Sequence, residues 1–185
     1  MIMKTMRTIG MMLMTAVMAF GMSACTNDDN PVVPSIGSAS ITVDGTTFSV
    51  NYAYWEAKVL NGNDTFYTLS VYNSSTFGGA DPFDAVSIVY KVVGGDKTKL
   101  ATGEFSNFDV CVSRLSSNSS KDRIYYGYST EYGNKAKLKV TKSGSNYKIQ
   151  FGAMKYVVDG SVNAQTYKGT DFSYTGTIKK GLPIK

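Results

Sequence analysis

Proton-transfer chemistry in proteins most often runs through histidine, and this 185-residue chain has none. Its absence removes the commonest general base, the usual serine-protease type of triad, the imidazole metal sites and His-ligated haem. Carboxylates remain. Glu56, Glu104 and Glu131, with Asp81, Asp84 and Asp109, are the candidates for the acid pair of a glycoside hydrolase. Such a pair stands about 5 Å apart in retaining enzymes and about 6.5 to 9.5 Å apart in inverting ones. Sequence separation does not bring any two of them together, so a carboxylate-dependent hydrolase is an alternative reading. Asp81 and Asp84 also fall in the glycine-rich "GGADPFDA". Oxygen ligands on loops bind calcium, but the spaced acidic pattern of a calcium loop is missing, and turn-forming aspartate is the plainer reading. Gly94-Gly95-Asp96-Lys97 reads as a hairpin turn with no helix behind it to present amides to a phosphate. Carboxylates and one thiol match zinc poorly. No metal or cofactor is read from the chain.

The second reactive type is cysteine, at positions 25 and 111. Cys25 follows a short positive region, Lys4 and Arg7, and an apolar run from about Ile9 to Met22. That run is short of the roughly 20 apolar residues a membrane span needs, and it suits the hydrophobic region of a secretory signal. Eight of the nine methionines lie in this leader, a composition break that supports its removal. Met22-Ser23-Ala24-Cys25 resembles the lipobox of bacterial lipoproteins. The resemblance implies cleavage before Cys25, a diacylglycerol on its sulfur and an acyl chain on its amine, and hence a membrane as partner. With Cys25 so used, Cys111 has no disulfide partner. In "NFDVCVSRL" it reads as a small buried hydrophobe.

Residues 25–37 then read as lipidated cysteine and flexible tether, polar and broken by Pro31 and Pro34. Asn27, Asp28 and Asp29 stand where a short acidic surface-export signal falls in Bacteroidetes lipoproteins, which they resemble. Removal of residues 1–24 leaves 161 residues and takes away Lys4 and Arg7, lowering the net charge from +5 to +3. The remaining lysines and arginines are scattered along the sequence. A nucleic-acid protein shows a basic stripe with interleaved aromatics, so nucleic acid is not an expected partner.

The elements that must hold these residues are strands. "ITVDGTTFSVNY" alternates on both sides of Asp44-Gly45, a hairpin signal because both turn residues must reach positive φ. "TFYTLSVYN", "DAVSIVYKVV", "KAKLKV" and "NYKIQFGAMKYVV" alternate in the same way, the third with a lysine face. Turn signals recur at Asp44-Gly45, Asn61-Gly62, Gly78-Gly79 and Gly94-Gly95, and later at residues 116–120, Gly133-Asn134, Ser143-Gly144 and Asp159-Gly160. This predicts one all-β domain over residues 38–185, an antiparallel β-sandwich or calycin-like barrel of roughly eight to ten strands.

Thirteen tyrosines and one tryptophan are the distinctive composition. Most fit a pleated surface with the hydroxyl in water. "NYAYWEA" and "RIYYGYSTEYGN" exceed that, and Trp55, Tyr125 and Tyr132 are the candidate ligand-binding aromatics. The "TVDG" hairpin, Gly103-Glu104-Phe105, "KSGSNYKIQF" and "YTGTIKK" resemble small β-rich lipoproteins of Bacteroidetes. That resemblance implies an all-β domain outside the cytoplasm, anchored to the outer membrane on its periplasmic or cell-surface face. The leading expectation is a binding or adhesion module for a glycan or an envelope partner. A lipocalin-like carrier of a small ligand and a carboxylate-dependent envelope glycoside hydrolase are the alternatives.

Overall fold

The computed structural model describes residues 37–60, 63–76, 80–115, 124–129, 136–158 and 165–181. These residues are all-β. The Asp44-Gly45 turn joins β1 (Ala39–Val43) to β2 (Thr46–Val50), with φ of 51° and 74° at its two central residues. Asparagine 51 alone separates β2 from β3 (Tyr52–Leu60), which is followed by β4 (Asp64–Tyr72) and β5 (Phe83–Val93). Then come β6 (Gly103–Phe105), β7 (Phe108–Leu115), β8 (Ile124–Ser129) and β9 (Leu138–Ser143). The chain closes with β10 (Asn146–Phe151), β11 (Met154–Val157), β12 (Thr166–Gly169), β13 (Phe172–Gly176) and β14 (Ile178–Lys180).

Two sheets result. A ten-stranded sheet runs β14-β3-β4-β5-β7-β8-β11-β12-β1-β2 and curls into a half-barrel, and a four-stranded sheet runs β13-β10-β9-β6. One ladder departs from the expected antiparallel pairing, since β14 lies parallel to β3. The fourteen described strands also exceed the eight to ten expected. The excess arises where one continuous run is divided between the two sheets.

The clearest case is a corner. Strand β10 leads into β11, and β12 into β13, while β10 pairs with β13 and β11 with β12. The two runs are therefore one hairpin ribbon bent from the small sheet into the large one. Burial follows the same pattern on both arms. Phe151 and Met154 are buried around exposed Gly152 and Ala153, and Gly169 and Phe172 are buried around exposed Thr170 and Asp171. Two consecutive outward residues at the same level of each arm, where alternation would place one, switch which parity faces inward, and a strand changing sheets needs that switch. Equal insertions leave the register intact: Phe151 faces Phe172 before the corner and Met154 faces Gly169 after it. The corner is fastened by the Ala153 amide donating to Asp171 Oδ1 at 2.6 Å.

Rings fill the space between the sheets. Trp55, Tyr67 and Tyr90 stand in succession, with centroids 6.3 and 5.3 Å apart, and Tyr90 meets Phe105 of the small sheet at 4.4 Å. Phe108, Phe151 and Phe172 continue the packing. Tyrosine reconciles this burial with its polar tip by reaching a loop carbonyl. Tyr67 Oη donates to Asp96 O and Tyr90 Oη to Ala101 O, each at 2.8 Å. These bonds hold residues 94–102 against the core. Gly94-Gly95 was expected to turn a hairpin, but β5 pairs with β7, and the glycines instead open the crossing to β6 in the other sheet. At Gly95 a Cβ would meet Tyr67 Oη at 2.9 Å, so the loop descends onto the ring where only glycine fits.

Candidate functional site

Each acid of the hydrolase reading that the structure describes has a different setting. Glu56 and Asp109 share one transverse row of the large sheet, where Glu56 faces Thr68, Thr68 faces Val89 and Val89 faces Asp109. Three strand steps separate them, about 14 Å at the usual strand spacing of about 4.8 Å, beyond the reach of a catalytic pair. Burial raises the Glu56 carboxyl above its ordinary range. Glu104 lies in the other sheet, bonded to Lys137, which holds its carboxyl below the ordinary range. Asp81 belongs to the exposed turn before β5, and Glu131 lies outside the described residues.

Asp84 is committed elsewhere. It faces Arg114 across the β5–β7 ladder, with Nε to Oδ1 at 2.6 Å and Nη2 to Oδ2 at 2.8 Å. The free edge of β2 arrives at this pair. The Ser49 amide donates to Asp84 Oδ2 at 3.3 Å, and Arg114 Nη2 donates to Thr47 O at 2.7 Å. The guanidinium also lies 4.9 Å over the Phe48 ring. Two side chains thus satisfy an edge that a strand ladder would otherwise cover. With its oxygens so engaged, Asp84 is unsuited to a calcium site with Asp81. No group of three or more His, Cys, Asp or Glu residues that could hold a metal occurs among the described residues.

The aromatic candidates part company. Trp55 is 6% exposed and stacks on Tyr67, with Lys180 Nζ 5.3 Å from its ring centroid. It closes one end of the core and has no open ring for a ligand, which corrects the expectation of a stacking platform there. Tyr125 faces Ser113 in the β7–β8 ladder, and its side chain, like the whole of Tyr132, lies outside the described residues. So do Cys25, Asn27, Asp28 and Asp29. Its neighbour Tyr126 is buried against Phe48 and Tyr167.

Cys111 departs from expectation as well. Val110 and Val112 face the core, which turns Cys111 to the outer side of the large sheet, half-buried between Ser87 and Gly127. Desolvation pushes its thiol up to about 11, leaving it protonated and unreactive at neutral pH. On the same outer side Tyr54, Tyr72, Phe83 and Ala85 form a second apolar cluster, tied down by Tyr54 Oη donating to Ser75 O at 3.0 Å.

The accessible polar surface is the outer side of the small sheet. The alternation of "KAKLKV" and "NYKIQF" buries Leu138, Val140, Ile149 and Phe151 and turns Lys139, Thr141 and Lys148 outward, with Gln150 half-exposed. In register, Glu104, Lys139, Gln150 and Ser173 form one row, and Thr141, Lys148 and Thr175 the next. Glu104 is bonded to Lys137 and also faces Lys139 across the ladder, while Lys148 stands among hydroxyls. The lysine face was legible in "KAKLKV". Its continuation through Gln150, Ser173 and Thr175 was not, because those residues come together only through the sheet order. No protein family, curated protein or solved structure matches the chain.

Proposed function

We propose that the protein is a lipid-anchored binding module of a bacterial outer envelope, held by Cys25 and directed at a glycan or an envelope partner. The observation that carries this reading is Met22-Ser23-Ala24-Cys25 at the end of an apolar leader and ahead of a proline-bearing acidic linker. A cysteine carrying two or three acyl chains is a durable anchor, whereas one chain is marginal. The linker from Thr26 to Ile36 lets a body whose first strand starts at Ala39 stand off a lipid surface. Asn27, Asp28 and Asp29 serve as a surface-export mark in this reading. The body supports binding over turnover, since the candidate acids described are separated or bonded while a face of lysines, hydroxyls, an amide and Glu104 is open to solvent.

Two measurements test it. Metabolic labelling with an alkyne fatty acid marks the wild-type chain and leaves Cys25→Ser unlabelled; equal labelling of both defeats the anchor. The detergent-solubilised mature protein is then used on a glycan array and in an envelope pull-down. Retention of a glycan or an envelope protein supports the module, and retention of nothing overturns it.

A further inference from the structure

Beyond the corner, the bent ribbon places Lys155 of β11 directly opposite Lys168 of β12. Both are exposed, on the side away from buried Met154, Tyr156 and Gly169. Directly opposed residues of an antiparallel pair have Cβ atoms about 4.5 to 5.5 Å apart, and like charges there repel. Among the described residues neither lysine is bonded to an acidic side chain. On the small-sheet arm, Lys139 and Lys148 are diagonal neighbours, since Lys139 faces Gln150 and Lys148 faces Thr141. Such diagonals span about 7 to 8 Å. The parity switch at the corner keeps Lys148, Lys155 and Lys168 outward on the ribbon, and Lys139 lies beside it on β9. Lys148 and Lys155 are seven residues apart, at most about 23 Å at the usual rise, and less around the bend.

We infer that this outer ribbon seats an acidic polysaccharide, whose carboxylate or sulfate groups are taken by Lys155 with Lys168 at one station and Lys139 with Lys148 at the other. The inference rests on the reading of the chain as an envelope binding module and names its ligand class. Paired cations within one Debye length, about 10 Å, attract a divalent or repeated anion far better than a single charge. Two such stations on either side of one bend suit a polymer with anions at intervals. Gln150, Ser173 and Thr175 stand in the rows of Lys139 and Lys148, donors and acceptors matched to neutral sugar hydroxyls, and between the stations lies the corner, where the exposed Asp171 carboxylate accepts from the Ala153 amide. A membrane-surface site is built differently, from an amphipathic element that buries apolar side chains between its cations.

The test measures binding of the mature lipidated protein to polygalacturonate, to heparin and to neutral dextran, at low and raised salt. Wild type is expected to bind at least one acidic polymer, more weakly as salt rises, and not dextran. Lys155→Glu with Lys168→Glu is expected to weaken that binding roughly tenfold or more, and Lys155→Gln with Lys168→Gln by less. A third arm compares phosphatidylglycerol with phosphatidylcholine vesicles, so that the lipid anchor contributes equally to both. Unchanged binding by the reversed variant overturns the inference. A phosphatidylglycerol preference without polymer binding assigns the ribbon to a membrane and overturns it too. A neutral glycan or envelope protein retained equally by wild type and variant sinks the acidic-glycan inference and leaves the binding module standing. Retention of nothing sinks both.

Discussion

Two charge pairs occupy equivalent places in this molecule, each directly opposed across an antiparallel ladder. Asp84 faces Arg114 at the seam, and Lys155 faces Lys168 past the corner. The first pair is of opposite sign, with Asp84 4% exposed, and it closes bonds to the β2 edge. The second pair is of like sign, exposed, and bonded to no acid among the described residues. The ladder geometry is the same, so burial and partner sign decide what a registered pair does. The seam pair satisfies backbone groups, while the ribbon pair leaves its field in solvent, where a ligand can meet it.

The comparison breaks first at the seam. Removing Arg114 leaves a buried carboxylate uncompensated and Thr47 O without its donor, so Arg114→Ala is expected to destabilise by about 3 to 5 kcal/mol. Urea unfolding checks this, and a loss under about 1 kcal/mol would mean that water replaces the guanidinium freely. Next comes the ribbon's own packing. A Cβ at Gly169 would collide with the Tyr156 ring, and Gly169→Ala is expected to cost about 1 to 3 kcal/mol. Tyr90→Phe strips the donor from Ala101 O and should cost about 1 kcal/mol, read as a lower thermal midpoint. The smallest effect is of opposite sign. Lys155→Glu turns the like pair into an opposite one and should stabilise by about 0.2 to 1 kcal/mol, an effect that added salt reduces.

Alkaline pH sharpens the contrast between inside and outside. Burial pushes the Cys111 thiol up to about 11 and the Tyr174 hydroxyl to about 12, and it raises Tyr90 further. A group whose folded value is raised binds its proton more tightly when folded. Its stabilisation is complete below the unfolded value, near 9 for the thiol and near 10 for tyrosine, and is lost as pH rises through the folded one. Stability should therefore hold to about pH 9 and fall steadily above it. A flat denaturant midpoint from pH 8 to 11 would contradict the burial of these groups.

The fold class was legible because alternation survives in short windows. "ITVDGTTFSVNY" became β1, β2 and the start of β3, and the last three residues of "KAKLKV" opened β9, with Lys139 outward. What escaped was set by distant contacts. Nothing near Gly94-Gly95 announces that the chain crosses to another sheet, and nothing around Trp55 distinguishes an exposed ring from one stacked on Tyr67. Cys111 had apolar neighbours on both sides, yet in a strand those neighbours are the residues that face the other way. The lysines looked scattered because the sequence separates by 13 residues the two that the ladder sets opposite each other.

The bent ribbon has a mechanical consequence. Because both arms turn the corner with their register kept, the small and large sheets are joined through both arms of one ribbon, and peeling one away strains the other. The body should unfold under load as a single event.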